Sequence, residues 1–385
     1  MTELRIPTLD ELRDRRSEKW RAHPDDVLPM FIAEMDFALA PAVREALAEA
    51  VAAGDTGYIH GPDRSVFAAF ADFAADRWGW RPDPARMERS ADVGVVIVET
   101  LRRVIEPGDG VIIMPPVYPP FWPNTEEAGG RVVEVPFVAT DDGRGHRMDL
   151  AGVERALASG EARAVLLCNP HNPLGVVHTR AELAELAEIV ERHGGAVVSD
   201  EIHAPLVHSG VGFTPYLDVS DAARAHGIAA VSGSKAFNLA GLKWAAFVAA
   251  SERTDAVLKS LPTSVGYRGG LFGELANRAA FEDARGWLDE VRAAVERNFA
   301  LLRRLVDELL PGCAVHPAAA GYLAWLDLRA LEWGDDPAAV ALERARVALS
   351  NGPAFGAEGR GFARMNLACA PELVEEAVRR IAAAR

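Results

Sequence analysis

Between residues 90 and 250 short β-rich runs alternate with helical stretches: GVIIM (110–114), RVVEV (131–135), RAVLLC (163–168), GAVVS (195–199), GIAAVS (227–232) and WAAFVAA (244–250). That rhythm predicts a mostly parallel central sheet covered by helices, an α/β fold. One covering helix is well marked. Thr179 and Glu182 make a capping box, and Leu183, Leu186, Ile189 and Val190 follow as an apolar stripe. From Gly286 the pattern changes to a long amphipathic helix, with Leu288, Val291, Val295, Phe299, Leu302, Val306 and Leu309 three or four apart and Pro311-Gly312 closing it. Strand-like GYLAWLDL (321–328) and FARMNLAC (362–369) and a last helix near 372–384 complete a smaller α+β unit. The expected division is a large domain over 46–285, a small domain over 286–385, and an N-terminal segment, 1–45, that joins the small domain.

Charge narrows the partners. Asp and Glu total 56 against 41 Lys and Arg, a net charge of −15, which disfavours a nucleic-acid backbone or an anionic membrane surface. A small-molecule substrate is expected instead. No run approaches the roughly 18–20 apolar residues of a membrane span. The N-terminal MTELRIPTLDELRDRR has no apolar signal core, so the expected location is cytoplasmic. Cys168, Cys313 and Cys369 lack CxxC spacing, so neither a disulfide framework nor a zinc site is expected, and no metal. The Gly-Lys of a P-loop, a GxGxxG after a strand, HExxH and a Gly-x-Ser-x-Gly elbow are all missing.

Three segments fall at the carboxyl ends of consecutive predicted strands, where open α/β sheets place ligands: CNPHNPLG (168–175), SDEIH (199–203) and SGSK (232–235). Each alone has an ordinary reading, as a turn, a helix cap or a solvated lysine. Together they supply a lysine for a Schiff base, an acid to keep a heteroaromatic nitrogen protonated and an amide for a phenolate, which are the needs of pyridoxal phosphate.

With these segments the chain resembles, over nearly its whole length, the fold-type I, aminotransferase-like pyridoxal-phosphate enzymes. It is similar in particular to the cysteine-S-conjugate β-lyase branch, the cystathionine β-lyase type. The narrower likeness rests on LPMFIAEMDF (28–37), PPVYPPF (115–121), the Asn172 and Asp200 segments, SKAFNLAGLK (234–243) and GFARMNLAC (361–369). The resemblance implies Lys235 as the lysine that binds the cofactor aldehyde and shuttles the α-proton, and Asp200 as the carboxylate under the pyridine nitrogen. It implies Asn172 for the ring 3′-oxygen, with His203 where relatives often carry a tyrosine for that atom, and Tyr118 stacked on the ring. The phosphate is expected near Val93, Gly94 and Val95, at the start of a helix over 94–105, with Ser232 and Ser234 as hydroxyl donors. Lys243 stands where the wider superfamily often has arginine. Tyr58 matches a tyrosine that reaches the phosphate from a neighbouring subunit, which implies a homodimer with shared sites. Arg364 matches the clamp on the substrate α-carboxylate.

Two segments depart from the branch. PAAAGY (317–322) has small residues where an acidic residue and a threonine are more usual, which suggests a wider pocket, and VGYRGG (265–270) places Tyr267 and Arg268 toward a partner's site. The activity implied is β-elimination of a thiol from cystathionine or another S-substituted cysteine, giving pyruvate and ammonia. Transamination is the nearest alternative. A natural-product lyase or deaminase acting on a bulky cysteine conjugate is a third, and a regulatory binding protein a fourth.

Overall fold

The computed structural model describes residues 4–61, 63–140 and 145–385. Seven strands build the main sheet: β1 (Met87–Ser90), β2 (Gly110–Ile113), β3 (Arg131–Glu134), β4 (Ala164–Cys168), β5 (Ala196–Asp200), β6 (Gly227–Val231) and β7 (Ala245–Val248), in the spatial order β1-β7-β6-β5-β4-β2-β3. Pairs from β3 through β6 are parallel, whereas β7 runs antiparallel to both β6 and β1. The sheet is thus mixed, with one reversed strand. Strands β2, β4, β5, β6 and β7 are buried at every position, which explains why they read as unbroken apolar runs rather than as alternation.

Helices cover both faces. The helix α1 (Val93–Val104) packs on one side through Val96, Ile97 and Leu101. On the other lies α2 (Arg180–Arg192), whose Thr179–Glu182 capping box forms as expected: Thr179 Oγ1 accepts from the Glu182 amide, and Glu182 Oε2 from the Thr179 amide at 2.9 Å. The long α3 (Arg285–Leu309) carries its apolar stripe to α4 (Pro371–Ala383). A second sheet, antiparallel throughout, joins β8 (Ala314–Val315), β9 (Leu323–Asp327), β10 (Ser350–Asn351) and β11 (Phe362–Asn366) in the order β8-β9-β11-β10. Near the N-terminus, Leu28–Pro29 pairs in parallel with Val347–Ala348. No helix among the described residues is long and apolar enough to cross a membrane.

Candidate active site

A cavity of about 340 Å³ opens at the carboxyl ends of β4, β5 and β6 and is roofed by residues from the N-terminal segment and β11. Strand pairing sets its floor, since Cα register places Cys168 opposite Asp200 and Asp200 opposite Ala230. The chain then turns out of each strand end, and those turns deliver Asn172, His203 and Lys235 to one space.

Lys235 donates from Nζ to the Ala33 carbonyl at 3.1 Å. Burial, reinforced by the Arg364 cation, brings its amine down to about 8, so about a tenth of it is neutral at pH 7. Asp200 is 4% exposed and accepts from the Ile202 amide at 3.1 Å. Burial raises its acid to about 6 despite the pull of Lys235, and a cation against the free oxygen would hold it ionised.

Arg364 is the best-built binding group. Its Nη1 donates to Asn172 Oδ1 at 3.0 Å, Nη2 donates to Ser350 Oγ at 3.2 Å, and the guanidinium lies 4.9 Å from the Phe355 ring. The Nε proton is buried and has no partner. Burial lowers the group to about 10, still cationic at neutral pH. A guanidinium aligned by neighbours, with an unmet donor, suits a carboxylate. His203 is buried with Nδ1 unpartnered, and burial together with Lys235 and Arg364 keeps it neutral, down to about 3. Tyr118 lines the cavity and packs edge-on against Phe121 at 5.9 Å, its hydroxyl pushed up to about 12 by burial and then by Asp200.

At the other end of the cavity is the start of α1. Asp92 caps it, accepting from the Val95 amide at 3.0 Å, so that amide is taken, while Val93 and Gly94 have no acceptor within the helix. A Cβ on Gly94 would lie 3.3 Å from Asp92 Oδ1, which shows how closely the chain approaches there. Lys243 Nζ lies 3.3 Å from Asp92 Oδ2, and Ser234 lines the same cavity. Ser232 is turned away, because its hydroxyl donates to the Trp244 carbonyl at 2.7 Å and accepts from the Ser234 amide at 3.0 Å. Tyr58 is 92% exposed and pairs with Tyr267, 6.3 Å between rings; it does not line this chain's cavity. Arg268 sits 3.8 Å from Glu99.

The 317–321 turn lies beside this cavity, and its Ala320 and Gly321 share a small recess with Asn172 and His203. None of its residues lines the cavity around Lys235. Gly175, at φ +65°, approaches it so closely that a Cβ there would fall 2.6 Å from Ala318 Cβ, and the Ala319 amide donates to the Gly175 carbonyl at 2.8 Å. Ala318 is the small residue that meets Gly175.

Several groups escaped the sequence. Ser350 and Phe355 fix Arg364 from a separate part of the small sheet, and Asn124, whose buried Nδ2 is unpartnered, faces the start of α1. Glu201, beside Asp200, is buried and raised to about 7, its Oε1 accepting from Ser199 Oγ and the Tyr216 amide. Only Glu201 lay in a segment that drew attention; the others have no local signature.

A lysine with a depressed amine, a carboxylate held at a strand end, an aromatic ring beside them and amides at a helix start define the class of fold-type I pyridoxal-phosphate enzymes. The orphaned donors of Arg364 and Asn124 and the size of the cavity fit such a cofactor and an amino acid. The aminotransferase class I and II family matches residues 25–381, and the chain belongs to it. A Mycobacterium leprae protein named "Putative cystathionine beta-lyase" is 43% identical, covering 97% of this chain and 96% of its own length. The cystathionine beta-lyase of Corynebacterium glutamicum is 33% identical, covering 98% and 99%. The structure of cystalysin from Treponema denticola, which contains pyridoxal 5′-phosphate, superposes with a TM-score of 0.93 at 25% identity, covering 100% of this chain and 99% of that one.

The raised acid of Asp200 gives a stability prediction. Its folded value, about 6, exceeds the ordinary 3.8, so its contribution to stability is fully present below about pH 4 and is lost as pH rises through 6. Asp200→Asn in the cofactor-free protein is therefore expected to match wild type near pH 4 and to gain up to about 3 kcal/mol above pH 7. Denaturant titration at the two pH values measures this, and a gain independent of pH would contradict it.

Proposed function

We propose that the protein is a pyridoxal-phosphate-dependent carbon–sulfur β-lyase that releases a thiol from cystathionine or another S-substituted L-cysteine, giving pyruvate and ammonia. The observation that carries the reading is the meeting of Lys235, Asp200 and Arg364 in one cavity, each shifted or aligned for use. Pyridoxal phosphate, when bound, supplies the electron sink for the pair left by the α-proton. Lys235 takes that proton, its depressed amine being suited to the task. Asp200 would hold positive charge at the ring nitrogen, Tyr118 would pack against the ring, and Asn172 and His203 would serve the 3′-oxygen. Val93, Gly94, Ser234, Lys243 and Asn124 are the phosphate donors. Arg364 fixes the substrate carboxylate. The Cβ–S bond then breaks, the electron pair leaves with the thiolate, and water converts the remaining enamine to pyruvate and ammonia.

In this reading residues 46–285 form the cofactor domain and 286–385 the small domain, which the strand pairing of Leu28–Pro29 with Val347–Ala348 extends to the N-terminal segment. Exposed Tyr58 supports a homodimer in which it completes the partner's phosphate site.

The test is release of pyruvate and free thiol from L-cystathionine and a panel of S-substituted cysteines, with and without a 2-oxo acid. Equal amounts of both products without an acceptor are expected. Turnover only with the 2-oxo acid would make the protein an aminotransferase.

A further inference from the structure

Three successive carbonyls in the N-terminal segment, those of Ile32, Ala33 and Glu34, are all held by side chains from distant parts of the chain. Asn366 Nδ2 donates to Ile32 O at 2.7 Å and to Glu34 O at 2.6 Å. Between them, the Ala33 carbonyl accepts two donors, Tyr322 Oη at 3.0 Å and Lys235 Nζ at 3.1 Å. Next along, Asn238 binds both the amide and the carbonyl of Met35, at 3.0 and 2.9 Å. Ile32 itself sits at φ +42°, a region a β-branched residue seldom adopts. Strain of this kind survives only where the surroundings over-determine the backbone. The hydrogen bonds do that here, and the result is a stiff strap lying against the reactive lysine.

We propose that Tyr322 is a positioning residue for Lys235, acting through the Ala33 carbonyl that the two side chains share. The catalytic consequence rests on the lyase reading; the contact itself does not. Tyr322 is 1% exposed and burial pushes its hydroxyl well up, so it is a neutral donor whose hydrogen points at Ala33 O. The positive end of that O–H dipole therefore lies beside the amine that shares the oxygen, and it opposes a charge on Lys235. Other groups facing Lys235 divide evenly: Arg364 and Lys243 oppose its charge, Glu34 and Asp200 favour it, and His203 is neutral. Removing the hydroxyl leaves the carbonyl wholly to the lysine and favours the ammonium. It also frees the strap on one side, so that the amine is less well aimed at a substrate α-proton.

The experiment follows trace acetylation of Lys235 by acetic anhydride in the cofactor-free protein across a pH series, read by mass spectrometry of the peptide, for wild type, Tyr322→Phe and Asn366→Ser. In Tyr322→Phe the midpoint is expected to rise by about half a unit or more, roughly threefold fewer neutral amines at a given pH. Asn366→Ser, which slackens the strap but leaves the Tyr322 hydroxyl on the shared carbonyl, is expected not to raise it. In the lyase assay the acidic limb of the kcat profile moves with the amine in Tyr322→Phe while KM stays within about twofold. An unmoved or lowered midpoint in Tyr322→Phe, or an equal rise in both variants, overturns the proposal. Acetylation decides this even for a protein that fails to turn over cystathionine, which keeps the proposal separable from the functional reading.

Discussion

Lys235→Ala is expected to lower thiol and pyruvate release by about 10⁴-fold, the upper range for loss of a positioned proton-transfer group. On the proposed reading the fall is large because one side chain has two jobs, holding the cofactor and moving the α-proton. Folding should not suffer. The amine is depressed to about 8, below its ordinary 10.5, so the stability that comes from its neutral form is lost as pH falls through 8. At pH 7 the wild-type chain therefore buries a charge that it would sooner shed. The cofactor-free variant should melt no lower than wild type at pH 7 and lose that advantage above pH 10. A variant that keeps more than about a tenth of the activity would remove Lys235 from the proton-transfer role. One that loses activity together with a collapse in melting temperature would show a structural loss instead.

Sequence exposed this site unevenly, and the reason is distance along the chain. Asp200 ends a buried strand, and Lys235 and Asn172 each follow one within a few residues, so an apolar run marks where to look. The same local logic carried the Thr179 cap and the stripes of α2 and α3. Strand β7 was visible as an apolar run, but its antiparallel direction was not, because a fully buried strand reads alike either way round. The pairing of Leu28–Pro29 with Val347–Ala348 is two residues long and more than three hundred apart, too brief for any periodicity to show. Arg364 stood out by resemblance, yet its supports, Ser350 and Phe355, lie in short segments whose only distinction is what they touch. The Ala33 carbonyl is more hidden still, since a backbone atom leaves no trace in residue identity. Conversely, Ser232 looked like a donor because it sits in a Ser-Gly-Ser turn, and only the Trp244 carbonyl beside it shows that its proton is already committed.

The N-terminal strap depends on an ion pair whose loss should cost more stability than any change inside the cavity. Lys19 Nζ lies 2.8 Å from Asp36 Oδ2 with side chains 0% and 1% exposed, and Trp20 Nε1 donates to Asp36 Oδ1 at 3.0 Å. Arg15 adds bonds to the carbonyls of Met35, Asp36 and Phe37 at 3.0, 2.8 and 3.2 Å. Replacing a buried pair entirely can be nearly neutral, but removing one partner strands the other charge, at about 3–5 kcal/mol. Lys19→Met keeps most of the side-chain volume, so the packing loss is small and the stranded Asp36 carboxylate dominates. The expected result is a loss of about 3–5 kcal/mol in urea unfolding of the cofactor-free protein. Adding Asp36→Asn should recover part of it, because an amide needs no counter-ion and can still accept from Trp20. A double variant less stable than Lys19→Met would mean that the aspartate is held by its other bonds and the lysine matters little. Asp36 keeps Trp20, Arg15 and the Ala368 carbonyl as anchors and the strap keeps Asn366 and Tyr322, so kcat is expected to stay within about twofold of wild type in Lys19→Met at temperatures where the chain remains folded.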